Sequence, residues 1–297
     1  MMNIVSAKIC RLRIALTVLA VALSGALPGA IGTSRAETSA WAVNEGGRMR
    51  LVVLPADEQG KRAGALQIEP SPGWITYWRE PGDAGIPPSI TLAPDSGYTL
   101  TEVAYPVPKR IDSGDLRDIG YDGPVTLPLV LSGPADGRLS SGELKASVFI
   151  GLCRNICIPF QAEFQLALTL SETADTEETE LVAAARRTLP EPPSADFAVR
   201  SHALSADGKA LSLTVTVPEA TRQDEAEIFV TGPSGHVFFK ERERRLEGNG
   251  LSVVLPISGL PRKYDIHGKR WGVLVKAGGR AMETTLAFDK RQSIFRD

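Results

Sequence analysis

Soft metal-ligating side chains are scarce in this 297-residue chain, which holds three cysteines, three histidines and four methionines. His202, His236 and His267 stand at wide, loop-like positions in the C-terminal half, lack metal-ligand spacing, and read as surface residues. An excess of one charge is missing too. With 33 basic and 35 acidic residues there is no basic field to gather nucleic acid and no acidic tail. No P-loop or dinucleotide fingerprint occurs, and Gly82, Gly85, Pro87 and Pro88 read as turn formers rather than a phosphate cradle. A Ser/His/Asp nucleophile elbow and a paired-carboxylate signature are also absent, so hydrolase chemistry has no support. The expectation is a protein without bound cofactor or metal centre, whose partners are found by local shape and chemistry.

Long apolar runs are confined to the N-terminus. Lys8, Arg11 and Arg13 precede an apolar run from Ile14 to Leu27 that is too short to span a bilayer comfortably. This predicts a secretory signal peptide over residues 1–36. Ser34 and Ala36 fit the small-x-small cleavage rule, so the mature chain starts at Glu37, with cleavage after Ala30 as the alternative. Cys10 leaves with the peptide, and its surroundings lack the small residues of a lipoprotein signal. No later window approaches about 18 consecutive apolar residues, so no membrane insertion is expected after cleavage. The destination is an oxidising compartment, most simply a bacterial periplasm, where a cysteine pair persists as a disulfide.

What the chain does have is short apolar alternation punctuated by Gly, Pro, Asp and Asn, as in 48–54, 65–69 and 127–131. That rhythm predicts an all-β protein built from β-sandwiches. At 175–188 the character changes to helix formers, with acids in the first turn and arginines in the last, and Asp175 with Glu178 resembles a capping box. Leu189-Pro-Glu-Pro-Pro-Ser194 then stops the helix. We read 37–170 as one sandwich domain, 171–195 as a helical, proline-rich connector, and 196–297 as a second sandwich domain, with strands at 197–200, 210–217, 226–230, 251–255, 271–276 and 282–288. Arg242-Glu-Arg-Arg245 reads as a solvated face of mixed charge.

Cys153 and Cys157 are then the only cysteines left. Leu144–Ile150 leads in and Phe160–Leu168 leads out, so the CxxxC lies at a hairpin. A ring of about five residues contributes only about 2 kcal/mol of chain entropy, against about 4.7 for a hundred. The pair is poorly placed as a staple and well placed for a partner thiolate to reach, although a passive hairpin clip is the structural alternative. Arg154 either favours a thiolate or is simply solvated, and Pro159 either keeps the strand edge open or is an ordinary edge proline. The aromatics of Trp74-Ile-Thr-Tyr-Trp78 read as core, with a docking face as the alternative.

Pro72-Gly-Trp-Ile-Thr-Tyr-Trp-Arg-Glu-Pro-Gly-Asp-Ala-Gly-Ile-Pro-Pro88, then Gly120-Tyr121 with Val125-Thr-Leu-Pro128, then the Cys153/Cys157 hairpin, together resemble the periplasmic N-terminal region of the DsbD and ScsB thiol:disulfide interchange proteins. The ScsB branch is the more similar. The resemblance covers 41–170 and implies an immunoglobulin-like domain in which Cys153 and Cys157 are the redox pair, reduced by a membrane-embedded partner and reducing oxidised periplasmic proteins. It makes Cys157 the residue that forms the mixed disulfide and Cys153 the one that resolves it. Where enterobacterial DsbD has an aromatic cap loop, 110–119 has no aromatic, so shielding is absent or falls to Leu116 or Tyr121. The sequence reaches Asp297 without transmembrane or thioredoxin-like parts, which points to a separate membrane electron carrier of the DsbD/CcdA type as donor. Oxidised thioredoxin-like or disulfide isomerase proteins are the expected acceptors. The competing reading is Cu(I) binding by the same two thiolates, since ScsB-type systems are associated with copper tolerance.

Overall fold

The computed structural model describes residues 37–82, 85–113, 116–133, 142–168, 175–219, 221–222, 224–233, 236–238 and 240–289. The signal peptide, Cys10 and the cleavage sites lie outside them. The N-terminal half runs β1 (Glu37–Thr38), β2 (Ala42–Asn44), β3 (Gly47–Ala56), β4 (Lys61–Pro70), β5 (Thr76–Gly82), β6 (Ser89–Leu92), β7 (Thr99–Val103), β8 (Lys109–Ser113), β9 (Leu116–Tyr121), β10 (Val125–Ser132), β11 (Gly142–Cys153) and β12 (Cys157–Leu168). After the helix α1 (Thr176–Arg187) come β13 (Ala198–Leu204), β14 (Ala210–Thr216), β15 (Glu227–Thr231), β16 (Val237–Phe238), β17 (Glu243–Glu247), β18 (Gly250–Pro256), β19 (Arg270–Ala277) and β20 (Arg280–Ala287). The protein is all-β, two immunoglobulin-like sandwiches with α1 between them. No helix among the described residues is long and apolar enough to cross a membrane.

Alternation decides which face of each strand is inside. On β3, Met49, Leu51 and Val53 are buried, and on β11 the set is Leu144, Ala146, Val148, Ile150 and Leu152. A period of two puts each set on one side of its sheet, so the six-stranded sheet β1-β3-β4-β10-β7, with β2 on β3, packs its apolar face against that of β12-β11-β6. The small sheet β5-β9-β8 adds Trp78, Ile119 and Tyr121 to the same core. Trp78 takes the inner position on β5, which turns its neighbours Tyr77 and Arg79 the other way.

The second sandwich pairs the sheet β13-β14-β18-β17 with β16-β15-β19-β20. Leu211, Leu213, Val215, Leu251, Val253 and Leu255 face Ile228, Val230, Val273 and Val275 across its core. The six strands expected there all form. β17 falls on the stretch read as a solvated face: Arg242, Glu243 and Arg245 are exposed as expected, Arg244 turns inward to Glu241 and to the carbonyl of Ala226 at 2.9 Å, and the stretch pairs with β18 as an edge strand.

β15 and β19 read as nearly continuous apolar runs because they are covered on both sides. Phe229 and Leu274, on the faces opposite Ile228 and Val273, pack into the first core. Around that contact Arg79 pairs with Glu283, and the Arg110 guanidinium lies 5.7 Å from the centre of the Phe229 ring. The connector is sutured as well. The Glu191 N–H donates to the Ala281 carbonyl at 2.8 Å and the Glu191 carbonyl accepts from the Glu283 N–H at 3.0 Å, while the Arg280 side chain holds the carboxylates of Glu191 and Asp196. The Asp175 side chain caps α1 by accepting from the Glu177 N–H at 2.8 Å. The reciprocal half of the expected capping box is absent, since Glu178 accepts from Thr38 of β1 instead.

Candidate functional site

β11 and β12 pair without a break over twelve positions, from Gly142 opposite Leu168 to Cys153 opposite Cys157. The hairpin is closed at its tip by a disulfide between those cysteines, with a Cα separation of 4.1 Å, shorter than the roughly 4.5 to 5.5 Å of facing residues in antiparallel strands. Arg154 to Ile156 make the turn, the Arg154 N–H donating to the Ile156 carbonyl at 3.2 Å.

The two sulfurs sit in different surroundings. Cys153 is 5% exposed. Its N–H and C=O both bond Ile75, at 3.0 and 2.8 Å, and the buried Thr76 hydroxyl donates to the carbonyl of Gly151 at 3.0 Å, so this arm is fixed to β5. Cys157 is exposed, as are Arg154 and Asn155, and the Ile156 side chain beside it stands 69% open to solvent. The tip rests on the turn between β2 and β3. A Cβ on Gly46 would come within 3.0 to 3.1 Å of Leu152, Trp74 and Ile158, so any larger residue there would push those side chains back.

One side chain reaches Cys157 from below. The Tyr77 hydroxyl lies 3.3 Å from Cys157 Sγ, while the residue as a whole is 1% exposed. Burial pushes its pKa up, and the charge of Asp118 on β9 and a hydrogen bond to it push further. The phenol therefore stays protonated and donates to the Asp118 carboxylate, itself 5% exposed, leaving its oxygen to face the sulfur. The ring fits because its neighbours have no side chains. A Cβ on Gly85 would meet the Tyr77 ring at 2.5 Å, and one on Gly151 would come within 2.6 Å of Ile86 and 3.2 Å of Tyr77.

The aromatic at the cysteines is thus Tyr77, buried as its place in the 74–78 run suggested, with its hydroxyl at Cys157. Trp78 is core, and Trp74 packs partly buried under the tip. Tyr121, one of the two residues considered as a shield, turns away, its hydroxyl donating to the Pro106 carbonyl at 2.8 Å. The Leu116 side chain lies outside the described residues. Asp118 went unnoticed, and the signal for it was the Gly120-Tyr121 element of the motif, since Gly120 pairs directly with Tyr77 in the ladder.

No third soft ligand stands beside the pair among the described residues. Met49 and Met282 are fully buried in different cores. His202 bonds the Ala287 carbonyl at 2.8 Å, half-buried rather than at the surface, His236 stacks on Phe238, and His267 pairs with Asp265. Chemically the site is a disulfide between one buried and one exposed cysteine at a hairpin tip, with a neutral phenol backed by a carboxylate beneath.

Residues 50–169 match the family model described as thiol:disulfide interchange protein DsbD, N-terminal, and residues 188–291 match a domain of unknown function. The crystal structure of the N-terminal periplasmic domain of ScsB from Proteus mirabilis superposes with a TM-score of 0.67 at 21% identity, over 85% of this chain and 99% of that one. Collagen adhesin from S. aureus is also found, at a TM-score of 0.15 and 8% identity over 86% of this chain and 94% of that one, and carries no weight. No curated protein matches at a significant level.

Proposed function

We propose that this protein is a periplasmic thiol:disulfide exchange protein, relaying electrons through Cys153 and Cys157 from a membrane carrier of the DsbD/CcdA type to oxidised thioredoxin-like or disulfide isomerase proteins, a reading supported by the match of residues 50–169 to the DsbD N-terminal family model. In this reading 37–170 is the exchange module, 171–195 the connector, and 196–297 a sandwich that braces β5 through Phe229, Leu274 and Glu283. The periplasmic location of the ScsB domain with the same fold supports the compartment.

The observation that carries the reading is the asymmetry of the pair. Exchange proceeds through a mixed disulfide, so one sulfur must be open to a macromolecule and the other held beside it to resolve the intermediate. Cys157 meets the first need and Cys153, pinned by Ile75, the second.

In the reduced protein the Cys157 thiol donates to the Tyr77 oxygen, whose own proton is held by Asp118. Loss of the thiol proton is therefore opposed by a nearby negative charge, and the resting thiol is kept from stray oxidants. The Cys157 thiolate attacks one sulfur of the target disulfide, forming the mixed disulfide and expelling the second target sulfur as a thiolate that takes up a proton. The Cys153 thiolate then attacks Cys157 Sγ, the target's remaining thiolate leaves, and the Cys153–Cys157 disulfide closes. Two electrons have passed to the target. The membrane carrier restores the pair by the reverse sequence.

Trapping tests the assignment. A Cys153→Ala variant, unable to resolve, should accumulate mixed disulfides through Cys157, whereas Cys157→Ala should accumulate few. Equal trapping by both variants, or by neither, would contradict this division of labour between the two cysteines.

A further inference from the structure

The loop between β18 and β19, residues 257–269, lies at the end of the second sandwich opposite the connector. Its base is anchored, since Leu260, Tyr264 and Ile266 pack back onto the second core and the Tyr264 hydroxyl accepts from the Trp271 indole at 3.0 Å. Two tight turns stand on that base, the Tyr264 N–H donating to the Pro261 carbonyl and the Lys269 N–H to that of Ile266, each at 3.0 Å. Arg262 and Lys263 are the corners of the first turn, Lys269 closes the second, and Arg270 follows it. All four are exposed. Arg270 pairs with Ala287 at one end of the β19–β20 ladder and Arg280 with Ala277 at the other, so the ladder holds the loop roughly 24 Å from the connector.

Two features set this end apart. Its cations are unspent: Lys109, Lys145, Lys276 and Arg280 each hold a carboxylate, whereas none of the four side chains here pairs with one among the described residues. Against them stand Asp265 and Asp289, while Asp207 is taken by Lys209. The loop is thus locally basic in a chain whose formal net charge is -2. The second feature is in the backbone. Lys263 has a φ of 64°, the one non-glycine residue in the left-handed region among those described. It is the third residue of its turn, where a positive φ favours glycine. A lysine there gives up conformational ease and places a charge at the outermost corner.

We propose that this loop is a contact surface for an anionic phospholipid membrane, on which the protein rests reversibly. A bilayer of that kind is a plane of negative charge, and it asks for projecting cations rather than for a shaped groove. Two turn corners on an anchored base supply them, within the short range over which salt leaves such attraction effective. The contact is peripheral, since no helix among the described residues is long and apolar enough to cross a bilayer. The inference does not depend on the exchange function proposed above. Joined to it, the second sandwich becomes the part that keeps the exchange module close to a membrane-embedded donor.

Sedimentation of the mature protein with lipid vesicles tests the proposal. Binding is expected to vesicles of phosphatidylglycerol and phosphatidylcholine in equal parts at low salt, to weaken at high salt, and to be absent with phosphatidylcholine alone. Lys263→Gly should weaken binding about fivefold, the worth of one basic residue at an anionic surface. Glycine takes that φ freely, so the variant keeps its fold and its urea midpoint should not fall. Lys109→Gln removes the same charge from the first sandwich and should leave vesicle binding unchanged. No binding to the anionic vesicles, equal binding to neutral ones, or equal losses in Lys263→Gly and Lys109→Gln would each overturn the proposal, the first outcome leaving the loop to an acidic protein surface. Disulfide exchange with soluble probes should be the same in Lys263→Gly, so this proposal and the exchange function are read separately.

Discussion

Replacing Asp118 by asparagine should make the reduced protein more reactive at neutral pH. The carboxylate lies one hydrogen bond beyond the Tyr77 oxygen, which is 3.3 Å from the Cys157 sulfur. Adding about 2.7 Å for that second bond puts carboxylate and sulfur roughly 6 Å apart. Two like charges at that separation repel by about 3 kcal/mol at an effective dielectric constant of about 20. Cys157 is open to water, so about half survives screening, roughly 1.4 kcal/mol, or a factor of about ten in thiolate population. The Asp118→Asn change keeps the shape and a hydrogen-bonding group for Tyr77 and removes the charge. The assay is the rate of iodoacetamide alkylation of Cys157 against pH, in a Cys153→Ala background so that one thiol is read. We expect the profile to move to lower pH and the rate at pH 7 to rise about tenfold. An unchanged profile, or one moved to higher pH, would refute the claim that Asp118 acts on the sulfur through Tyr77.

Reduction should cost little stability: loss of so small a ring removes only about 2 kcal/mol, so urea unfolding of oxidised and reduced protein should differ by no more than that, whereas a reduced form that is unfolded would mark the bond as structural. Gly151→Ala should destabilise by about 1–3 kcal/mol in the same assay, because its Cβ would fall 2.6 Å from Ile86 and press on the Tyr77 ring. Phe229→Ala should cost about 3–5 kcal/mol and lower the stability of the first sandwich as well as its own, since its ring is fully buried in the first core; unfolding followed by tryptophan fluorescence in a Trp271→Phe background, where every remaining tryptophan lies in the first half, would show whether the two halves are coupled. Tyr77 and Tyr121 both have pKa values raised chiefly by burial above the ordinary 10.0. Their neutral forms contribute stability that is fully present below about 10 and is lost as pH rises beyond it, because the unfolded tyrosines release their protons first. Urea midpoints measured from pH 8 to 11 should fall at the alkaline end, and less so in Tyr77→Phe.

Period-two alternation gave away the hairpin arms and most strands of both halves, because each such strand has one dry face and one wet face. It was silent on β17, where Glu243, Arg245 and Glu247 are exposed and the inward positions are taken by Arg244 and Leu246, only one of them apolar. The cysteines announced themselves by scarcity. Which of them is open could not be read from spacing, since it depends on Ile75 bonding one arm from a strand about 80 residues away. Tyr77 is buried, as its place in the run suggested, but what it is buried against was not legible. In an alternating run Trp74-Ile-Thr-Tyr-Trp78 the phase alone does not say which aromatic faces the core, and the answer comes from glycines at 85 and 151 that clear a slot for one ring. The connector looked like a linker by composition, yet Glu191 and Arg280 tie it into the second sandwich, contacts invisible until β20 is placed.

The reduction potential of the Cys153–Cys157 pair, obtained by equilibrating the protein in thiol buffers and trapping free thiols, is the most direct test of the central claim. An electron-passing pair is predicted to fall between roughly −200 and −270 mV, within reach of both donors and acceptors. A value far below about −300 mV would make the bond a structural clip, and contradict the exchange function outright.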